Sequence, residues 1–242
     1  MIKDSCQGYV LHRLPYRETS LLVDLITREQ GKVRVVAKGV RGSKSDRKSL
    51  LQPFQLLECR VTGRNELKNL GHVEAMASRI ELQHQSLFCG LYLNELVSRA
   101  LPIDLPSEEI FDAYQDVLRQ LCALSVESYS AHIEVLLREF ELHLLLRLGY
   151  LPDFNHCGAT GLPLYDNDHY EFIPDTGFVA VANTSVSTGN KIVFKGCDIL
   201  SIANHDWHAD SLRAAKHLMR LALPVVIGDK PLRSRALFAQ VK

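Results

Sequence analysis

The chain has 242 residues, of which 46% are hydrophobic and 23% charged, a composition typical of a folded globular protein with one or two domains. Its 28 Lys and Arg residues balance its 28 Asp and Glu residues, which excludes both a uniformly basic nucleic-acid-binding coat and an acidic disordered chain. An apolar run of about 18 residues and a secretory signal pattern are both missing from the sequence, so we expect a cytoplasmic protein without a membrane span.

The first 80 residues have the pattern of short strands separated by turns. Glycine, proline or polar residues interrupt five segments that are rich in β-branched and other apolar residues. A five-stranded barrel that binds oligonucleotides is the OB-fold, and we predict this fold for a domain covering residues 1–80. The five predicted strands are residues 8–14, 20–27, 32–38, 54–60 and 67–75.

From residue 81 onward, the apolar residues recur with the period of helices. The pattern predicts helices within about 81–150, where Gly149 is a C-terminal stop, and within about 210–240. The segment of about 151–208 between them is rich in glycine and proline, which predicts loops. The expected fold class is therefore α+β and multidomain: an N-terminal OB-fold barrel, then a mostly α-helical bundle domain (81–242) with a loop-rich insertion.

Positive charge is concentrated near the third predicted strand. Residues 1–75 contain 14 Lys and Arg against 8 Asp and Glu, whereas the remaining 167 residues contain 14 against 20. Alternation along the strand places Lys32, Arg34 and Lys38 on one face, which we expect to be exposed to solvent. The alternative is a solvated surface whose charges only maintain solubility. The residues of this strand and the following loop that we predict to contact a nucleic-acid backbone are Lys32, Arg34, Lys38, Arg41, Lys44, Arg47 and Lys48.

A second group of cations lies on the last long predicted helix. Arg213, Lys216 and Arg220 recur at i, i+3 and i+7 and therefore share one helix face. This face either extends the DNA contact surface or binds an acidic partner; the alternative is a solvated basic side. Residues 104–141 carry the opposite charge, and the sequence leaves open whether they shield the basic strand or bind a partner.

Catalytic and metal-binding motifs are missing from the sequence. The six cysteines lie at least 30 residues apart without a C-x-x-C pair, and no G-x-S-x-G, H-E-x-x-H, complete Walker loop or G-x-G-x-x-G occurs. Asp166, Asp168 and Glu171 could hold Mg²⁺ in a nuclease, but their glycine- and proline-rich surroundings are typical of a turn. We therefore predict that the protein is not an enzyme and needs no cofactor.

Five sequence blocks resemble one specific family. The blocks ETSLLVDLITREQGKVRVVAKGVRGSKS with LLQPFQ, LYLNELVSRAL, LLREFELHLLLRLGYLPDFNHC, Gly177-Phe178 and GDKPLRSRALF occur in this order. Together they resemble the RecO family of bacterial DNA repair and recombination mediator proteins, over about residues 8–240. The resemblance supports the OB-fold prediction for the N-terminal domain.

The resemblance implies a function that composition alone does not give. Members of the family bind single- and double-stranded DNA and anneal complementary strands. They also bind the acidic C-terminal tail of the single-stranded-DNA-binding protein SSB, and with RecR they assist RecA loading onto SSB-coated gaps. A protein of this kind would associate with the nucleoid when bound to DNA. The alternative is an OB-fold RNA-binding module of translation or RNA metabolism, which would recognise the 2′-hydroxyl groups of RNA.

The sequence departs from the family at a metal site. Many members carry four zinc-binding cysteines after the Gly-Tyr block, whereas this sequence keeps only Cys157 there. His156 and His169 do not complete a site with standard zinc-ligand spacing. The sequence therefore resembles the branch of the family without zinc, and we expect no bound metal.

The resemblance also implies a binding site for the SSB tail. Such a tail ends in acidic residues and a terminal phenylalanine, so its receptor needs an apolar pocket and a cation. Arg138 corresponds to the arginine that members without zinc use near that pocket. The alternative is an exposed arginine that pairs with Glu134 or Glu141 at helical spacing.

Overall fold

The structure of the chain is a computed structural model, and it describes residues 5–42, 47–124, 129–181 and 192–238. The chain forms two compact units. The first contains residues 1–129 and 231–242, and the second contains residues 130–230.

Five strands of the first unit close into a barrel with the order β1-β2-β3-β5-β4. Neighbouring strands run antiparallel except β3 and β5, which are parallel. This five-stranded barrel confirms the predicted OB-fold. The strands are β1 (Ser5–Tyr16), β2 (Ser20–Thr27), β3 (Gly31–Ala37), β4 (Leu57–Thr62) and β5 (Leu67–Ala75).

Apolar side chains from all five strands fill the barrel. On β3, Val33, Val35 and Ala37 enter the core, as their alternation in the sequence predicts. Each is fully buried, and burial of a valine side chain stabilises the fold by roughly 1.5–3 kcal/mol. The inward face of β3 is therefore fixed by packing, and its other residues must point away from the barrel core.

Four helices complete the described part of the first unit: α1 (Arg47–Leu50), α2 (His84–Ala100), α3 (Glu108–Ala123) and α8 (Arg235–Phe238). The buried side chain of Asn94 in α2 joins the barrel to α3. Its amide donates to the carbonyl oxygens of Val10 and Leu11 at 3.4 and 3.3 Å, and its oxygen accepts a hydrogen bond from the Tyr114 hydroxyl. The ring of Tyr9 packs edge-on against that of Tyr114, so aromatic contacts reinforce the same junction.

The C-terminal segment is fastened to α2. The Glu95 carboxylate accepts hydrogen bonds from the backbone N–H of Arg233 (2.9 Å), the backbone N–H of Ser234 (2.8 Å) and the Ser234 hydroxyl (2.6 Å). About two turns earlier in α2, the Phe88 ring packs edge-on against the Phe238 ring, with centroids 6.1 Å apart. These contacts place a segment near the C-terminus in the same unit as the N-terminal barrel.

The second unit contains four helices and one antiparallel sheet among its described residues. The sheet has the order β7-β6-β8. The first helix ends at Gly149, whose φ of +78° confirms the predicted glycine stop. The elements are α4 (Tyr129–Leu148), β6 (His169–Ile173), β7 (Gly177–Ala180), β8 (Val193–Lys195), α5 (Gly196–Ala203), α6 (Ala209–Ala222) and α7 (Pro224–Ile227).

The loop-rich segment over 151–208 also contains the sheet and α5, elements that the sequence pattern did not predict. Its strands have only five, four and three residues, which is too short for a clear alternation in the sequence. The rings of Phe154, Phe172 and Phe194 surround the buried Phe178 at centroid distances of 5.5–5.9 Å. Tertiary packing around one phenylalanine therefore stabilises strands that local sequence does not specify.

The predicted fold class is confirmed: a five-stranded barrel is followed by a mostly helical region in an α+β protein. The barrel ends at Ala75 and α2 begins at His84, where the sequence changes its period. Across the described ranges, each helix is too short or too polar to cross a membrane.

Candidate nucleic-acid interface

Lys32 does not present its charge to solvent, so that part of the prediction was wrong. The residue is only 9% exposed, and its Nζ donates to the Ser98 carbonyl oxygen at 2.8 Å. The connection between α2 and α3 covers it: Ile103 forms a parallel bridge with Lys32, and the Asp104 N–H donates to the Lys32 carbonyl oxygen at 2.8 Å. Burial lowers the pKa of Lys32 because it disfavours the charged form.

Arg34 is half-buried and its charge is balanced locally. It lies opposite Asp24 on the neighbouring strand β2, and its Nε and NH2 groups donate to the two carboxylate oxygens at 2.6 and 2.9 Å. These hydrogen bonds raise the pKa of Arg34 above its ordinary value, with burial acting in the opposite direction. Asp24 therefore holds the Arg34 side chain in place and neutralises its charge.

Of three further predicted residues, Arg47 and Lys48 lie in α1. Arg47 holds this helix to β5, because its NH2 group donates to the carbonyl oxygens of Leu70 and Gly71 at 3.2 and 2.5 Å. Lys48 is exposed to solvent, whereas Lys44 lies outside the described residues. Only Lys48 of these three is therefore placed by the structure as an accessible cation.

Lys38 and Arg41 are exposed and lie beside a turn whose residues were not among the predicted contacts. Ala37 pairs with Leu21, so Lys38 lies beside the β1–β2 turn. The Arg41 backbone N–H donates to the Thr19 carbonyl oxygen at 2.9 Å, and its guanidinium donates to the Arg17 carbonyl oxygen at 3.1 Å. Two distant parts of the sequence therefore meet at one end of the barrel.

We call Tyr16, Arg17, Lys38 and Arg41 the hairpin-end cluster. The Arg17 guanidinium lies 5.2 Å from the centroid of the half-buried Tyr16 ring, while the three cations are exposed. Within residues 5–42 and 47–124, none of the three forms an ion pair, and one carboxylate, Glu18, lies in the same turn. Cations beside an aromatic ring suit a single strand, because they contact phosphates while the ring stacks on a base.

The sequence contained a usable signal for Arg17 and Tyr16. They lie in the interval between the first two predicted strands, in the order Pro15-Tyr16-Arg17. In an OB-fold the loop between strands 1 and 2 borders the ligand site. A turn there with basic and aromatic residues is therefore a candidate nucleic-acid contact, as the third strand is.

The predicted cations of α6 share one exposed face, as their spacing indicates. Arg213 donates to Asp210 at 2.9 Å, and Lys216 donates to Glu134 at 3.0 Å. Arg220 is exposed at the C-terminal end of the same face. Two of the three charges thus have a carboxylate partner, which weakens this face as a site for a polyanion.

Arg138 in α4 is not the exposed arginine of the alternative prediction. Its side chain is 11% exposed, and its two terminal nitrogens lie 3.1 Å from the two carboxylate oxygens of the fully buried Glu141. The predicted pairing with Glu141 is therefore confirmed, whereas exposure is wrong. A buried guanidinium with a carboxylate partner has a structural role, and any contact with a ligand would occur through its small exposed fraction.

Within the described ranges 5–42, 47–124, 129–181 and 192–238, no group of three or more His, Cys, Asp or Glu side chains could hold a metal ion. Cys157 is buried, and hydrogen bonds from the Thr160 side chain and the backbone of Ala180 lower its pKa to about 7. Asp166 lies in a turn, where its carbonyl oxygen accepts from the Cys197 N–H at 3.1 Å. Of the proposed nuclease residues, Asp166 therefore lies in a turn, whereas Glu171 lies in β6.

Comparison with known proteins gives a consistent result along the chain. A family model described as "Recombination protein O N terminal" matches residues 1–79, and one described as "Recombination protein O C terminal" matches residues 83–236. The chain is 47% identical over 240 residues to the DNA repair protein RecO of Pseudoalteromonas atlantica, covering 99% of this chain and 96% of that protein. It is 43% identical over 235 residues to RecO of Haemophilus influenzae, with 97% and 95% covered.

Proposed function

The chain belongs to the RecO family of DNA repair proteins, and on that premise we propose that it binds single- and double-stranded DNA and anneals complementary strands. The observation that carries this proposal is the hairpin-end cluster on an OB-fold barrel. A role in DNA repair and recombination follows from the family itself. We further propose that the protein acts without catalysis and without a cofactor.

Annealing requires no bond to be made or broken by the protein. Two complementary strands repel each other through their phosphates, and cations that neutralise several phosphates lower this repulsion while the strands are held close. Arg17, Lys38 and Arg41 provide such charges on an exposed turn and loop. Because their effect is electrostatic, added salt should weaken DNA binding and annealing steeply.

We also propose that the protein binds the SSB tail, cooperates with RecR, and indirectly assists RecA. Arg138 is the proposed contact for the tail's terminal carboxylate, and Arg213, Lys216 and Arg220 are proposed as a second contact surface for DNA or for the tail's acidic residues. The near-complete match to RecO proteins supports these partners as proposals. When bound to DNA, the protein would then associate with the nucleoid.

The first experiment tests the mediator function as a whole. Complementary oligonucleotides coated with SSB are annealed at low and moderate salt, with intact SSB and with SSB lacking its acidic tail. We expect faster annealing that depends on the tail. Acceleration that is equal without the tail would refute the tail contact, and no acceleration at either salt would refute the annealing proposal.

The second experiment tests the hairpin-end cluster. Replacement of Lys38 and Arg41 by Glu should lower single-stranded DNA affinity and flatten its dependence on salt, because two phosphate contacts are lost. The matched control replaces the exposed Arg79 and Arg119 by Glu, which changes the net charge equally within the same compact unit. Equal losses in both variants would show that net charge, and not this cluster, controls binding.

A further inference from the structure

A second set of barrel cations lies farther from the hairpin-end cluster. Arg28 follows β2, and Lys32 is the second residue of β3, at the opposite end of that strand. Lys68 pairs with Val35 in the middle of β3, and its side chain pairs with Asp104, whose backbone N–H is bonded to Lys32. We call Arg28, Lys32 and Lys68 the barrel-end cations. Lys32 and Lys38 are six residues apart, so along a strand the two groups are separated by about 20 Å.

Every barrel-end cation is held by an acceptor from one segment of the chain, residues 98–112. Lys68 pairs with the Asp104 carboxylate, Arg28 pairs with the Asp112 carboxylate at 2.9 Å, and Lys32 donates to the Ser98 carbonyl oxygen at 2.8 Å. Asp104 and Asp112 belong to the acidic part of the sequence, residues 104–141, whose role was open. It supplies two carboxylates to cations that a phosphodiester chain would otherwise contact.

The position of Asp104 is built into the backbone. Its φ is +60°, a left-handed conformation that is uncommon for residues other than glycine but is accessible to Asp and Asn. Its N–H is bonded to β3 through the Lys32 carbonyl oxygen. Next to it, the Leu105 carbonyl oxygen lies where a side chain at position 31 would be, and that position is Gly31. These contacts therefore hold the backbone at Asp104 against the barrel, and its carboxylate lies beside Lys68.

Both carboxylates are accessible to solvent. The Asp104 and Asp112 side chains are 41% and 44% exposed, and Arg28, the partner of Asp112, is itself 42% exposed, so an incoming anion can reach either pair. Lys68, by contrast, is only 10% exposed, and it has little access to a ligand while Asp104 is in place. A carboxylate that pairs with a buried lysine carries the same charge as a phosphodiester group, and its two oxygens accept hydrogen bonds as the two free phosphate oxygens do.

From these contacts we infer that the barrel end is a second phosphodiester-binding site, which Asp104 and Asp112 occupy in the absence of nucleic acid. A strand that extends from the hairpin-end cluster along β3 reaches this site and exchanges its phosphates for the two carboxylates. The site thereby adds contacts for long strands and little for short ones. This inference rests on the proposed DNA-binding function and extends its surface.

The test replaces both acids without change of shape. We expect Asp104→Asn with Asp112→Asn to raise the affinity for a long single-stranded oligonucleotide roughly tenfold at low salt. A plot of the logarithm of the binding constant against the logarithm of the salt concentration should also become steeper by about 1.4, which is about 0.7 for each new phosphate contact. Asn suits the positive φ at position 104, and circular dichroism verifies that the variant is folded. The control, Glu108→Gln with Asp116→Asn, removes the same charge from α3; Asp116 pairs with Arg119 of the same helix.

A second pair of variants keeps the inference testable even if the acid variant does not fold. Arg28→Gln with Lys68→Gln should leave the affinity of the otherwise unchanged protein for short oligonucleotides the same, because those cations are already neutralised. In the Asp104→Asn, Asp112→Asn background the same change should remove the gain. A large loss for short oligonucleotides would overturn the inference, since it would show that these cations contact DNA without exchange.

The outcomes separate the inference from the proposed function. If the unchanged protein binds DNA and the acid variant equals its control, the second site is refuted while DNA binding by the hairpin-end cluster stands. If neither the unchanged protein nor any variant binds DNA, both proposals are refuted. A gain in the acid variant that is lost with Arg28→Gln and Lys68→Gln supports the second site.

Discussion

Replacement of Arg138 by Ala should destabilise the second unit strongly. The change removes the guanidinium from a carboxylate, Glu141, that is completely buried. Loss of one partner of a buried ion pair costs about 3–5 kcal/mol, because the remaining charge stays away from water. Both side chains are almost fully buried here, so solvent screening reduces this value little. We take about 3 kcal/mol, at the lower end, because Glu141 has further contacts.

Tryptophan fluorescence can measure this loss in the unit concerned. The chain has a single tryptophan, Trp207, whose indole N–H donates to Glu139 of α4 at 2.6 Å. With a urea slope of about 2 kcal/mol per molar, a loss of 3 kcal/mol shifts the unfolding midpoint down by about 1.5 M. A double variant, Arg138→Met with Glu141→Leu, should unfold near the original midpoint, because two apolar side chains replace the charged pair.

The two variants also separate stability from partner binding. If Arg138 contacts the SSB tail, the double variant should be as stable as the original chain and yet bind the tail peptide more weakly, with bare-DNA affinity unchanged. A midpoint shift below about 0.3 M for Arg138→Ala would refute the reasoning from burial. Undiminished peptide binding by the stable double variant would refute the proposed tail contact.

Two further predictions concern the first unit. Burial acts to raise the pKa of Glu95, but hydrogen bonds from Ser234 and Arg233 outweigh it, so the pKa in the folded state lies below the ordinary value of 4.5. The ionised Glu95 side chain therefore stabilises the fold at pH values above 4.5, and this stabilisation is lost as the pH falls through the folded-state pKa. Urea unfolding at several pH values should therefore show Glu95→Gln to be less stable by about 2 kcal/mol near neutral pH, with the difference shrinking in acid; a difference independent of pH would contradict this. Gly31→Ala should destabilise the barrel by several kcal/mol, because the new Cβ would lie 1.8 Å from the Leu105 carbonyl oxygen. The control Gly39→Ala has a similar φ of +70° but no atom near its Cβ, so it should cost only about 1 kcal/mol. Equal thermal melting temperatures for the two variants would refute the steric argument.

Local patterns were sufficient for the barrel strands and for the end of α4. The five strand segments are bounded by turn residues, and each places apolar side chains in the barrel core, so periodicity and punctuation identify them without knowledge of the fold. Gly149 ends α4 because only glycine adopts its φ of +78° without cost. The family resemblance had a similar basis, since its blocks could be read in order along the chain.

The surface of β3 could not be predicted in the same way. Alternation correctly showed which side of the strand enters the core, but exposure of the other side depends on what packs there. Ser98, whose carbonyl oxygen binds Lys32, is 66 residues away in sequence, and Asp104 is 36 residues from Lys68. No window of local sequence contains both members of either pair.

Sequence therefore specified the types of residue available to bind a polyanion, together with the strand and loop that carry them. Tertiary structure decided which of those charges face solvent. It exposed Lys38 and Arg41 beside Arg17, it paired Arg34 with a carboxylate of β2, and it buried Lys32 against a carbonyl oxygen of α2. The physical reason is that a charge pairs with whichever acceptor folding brings within a few ångströms, and the closed barrel brings those acceptors from distant parts of the chain.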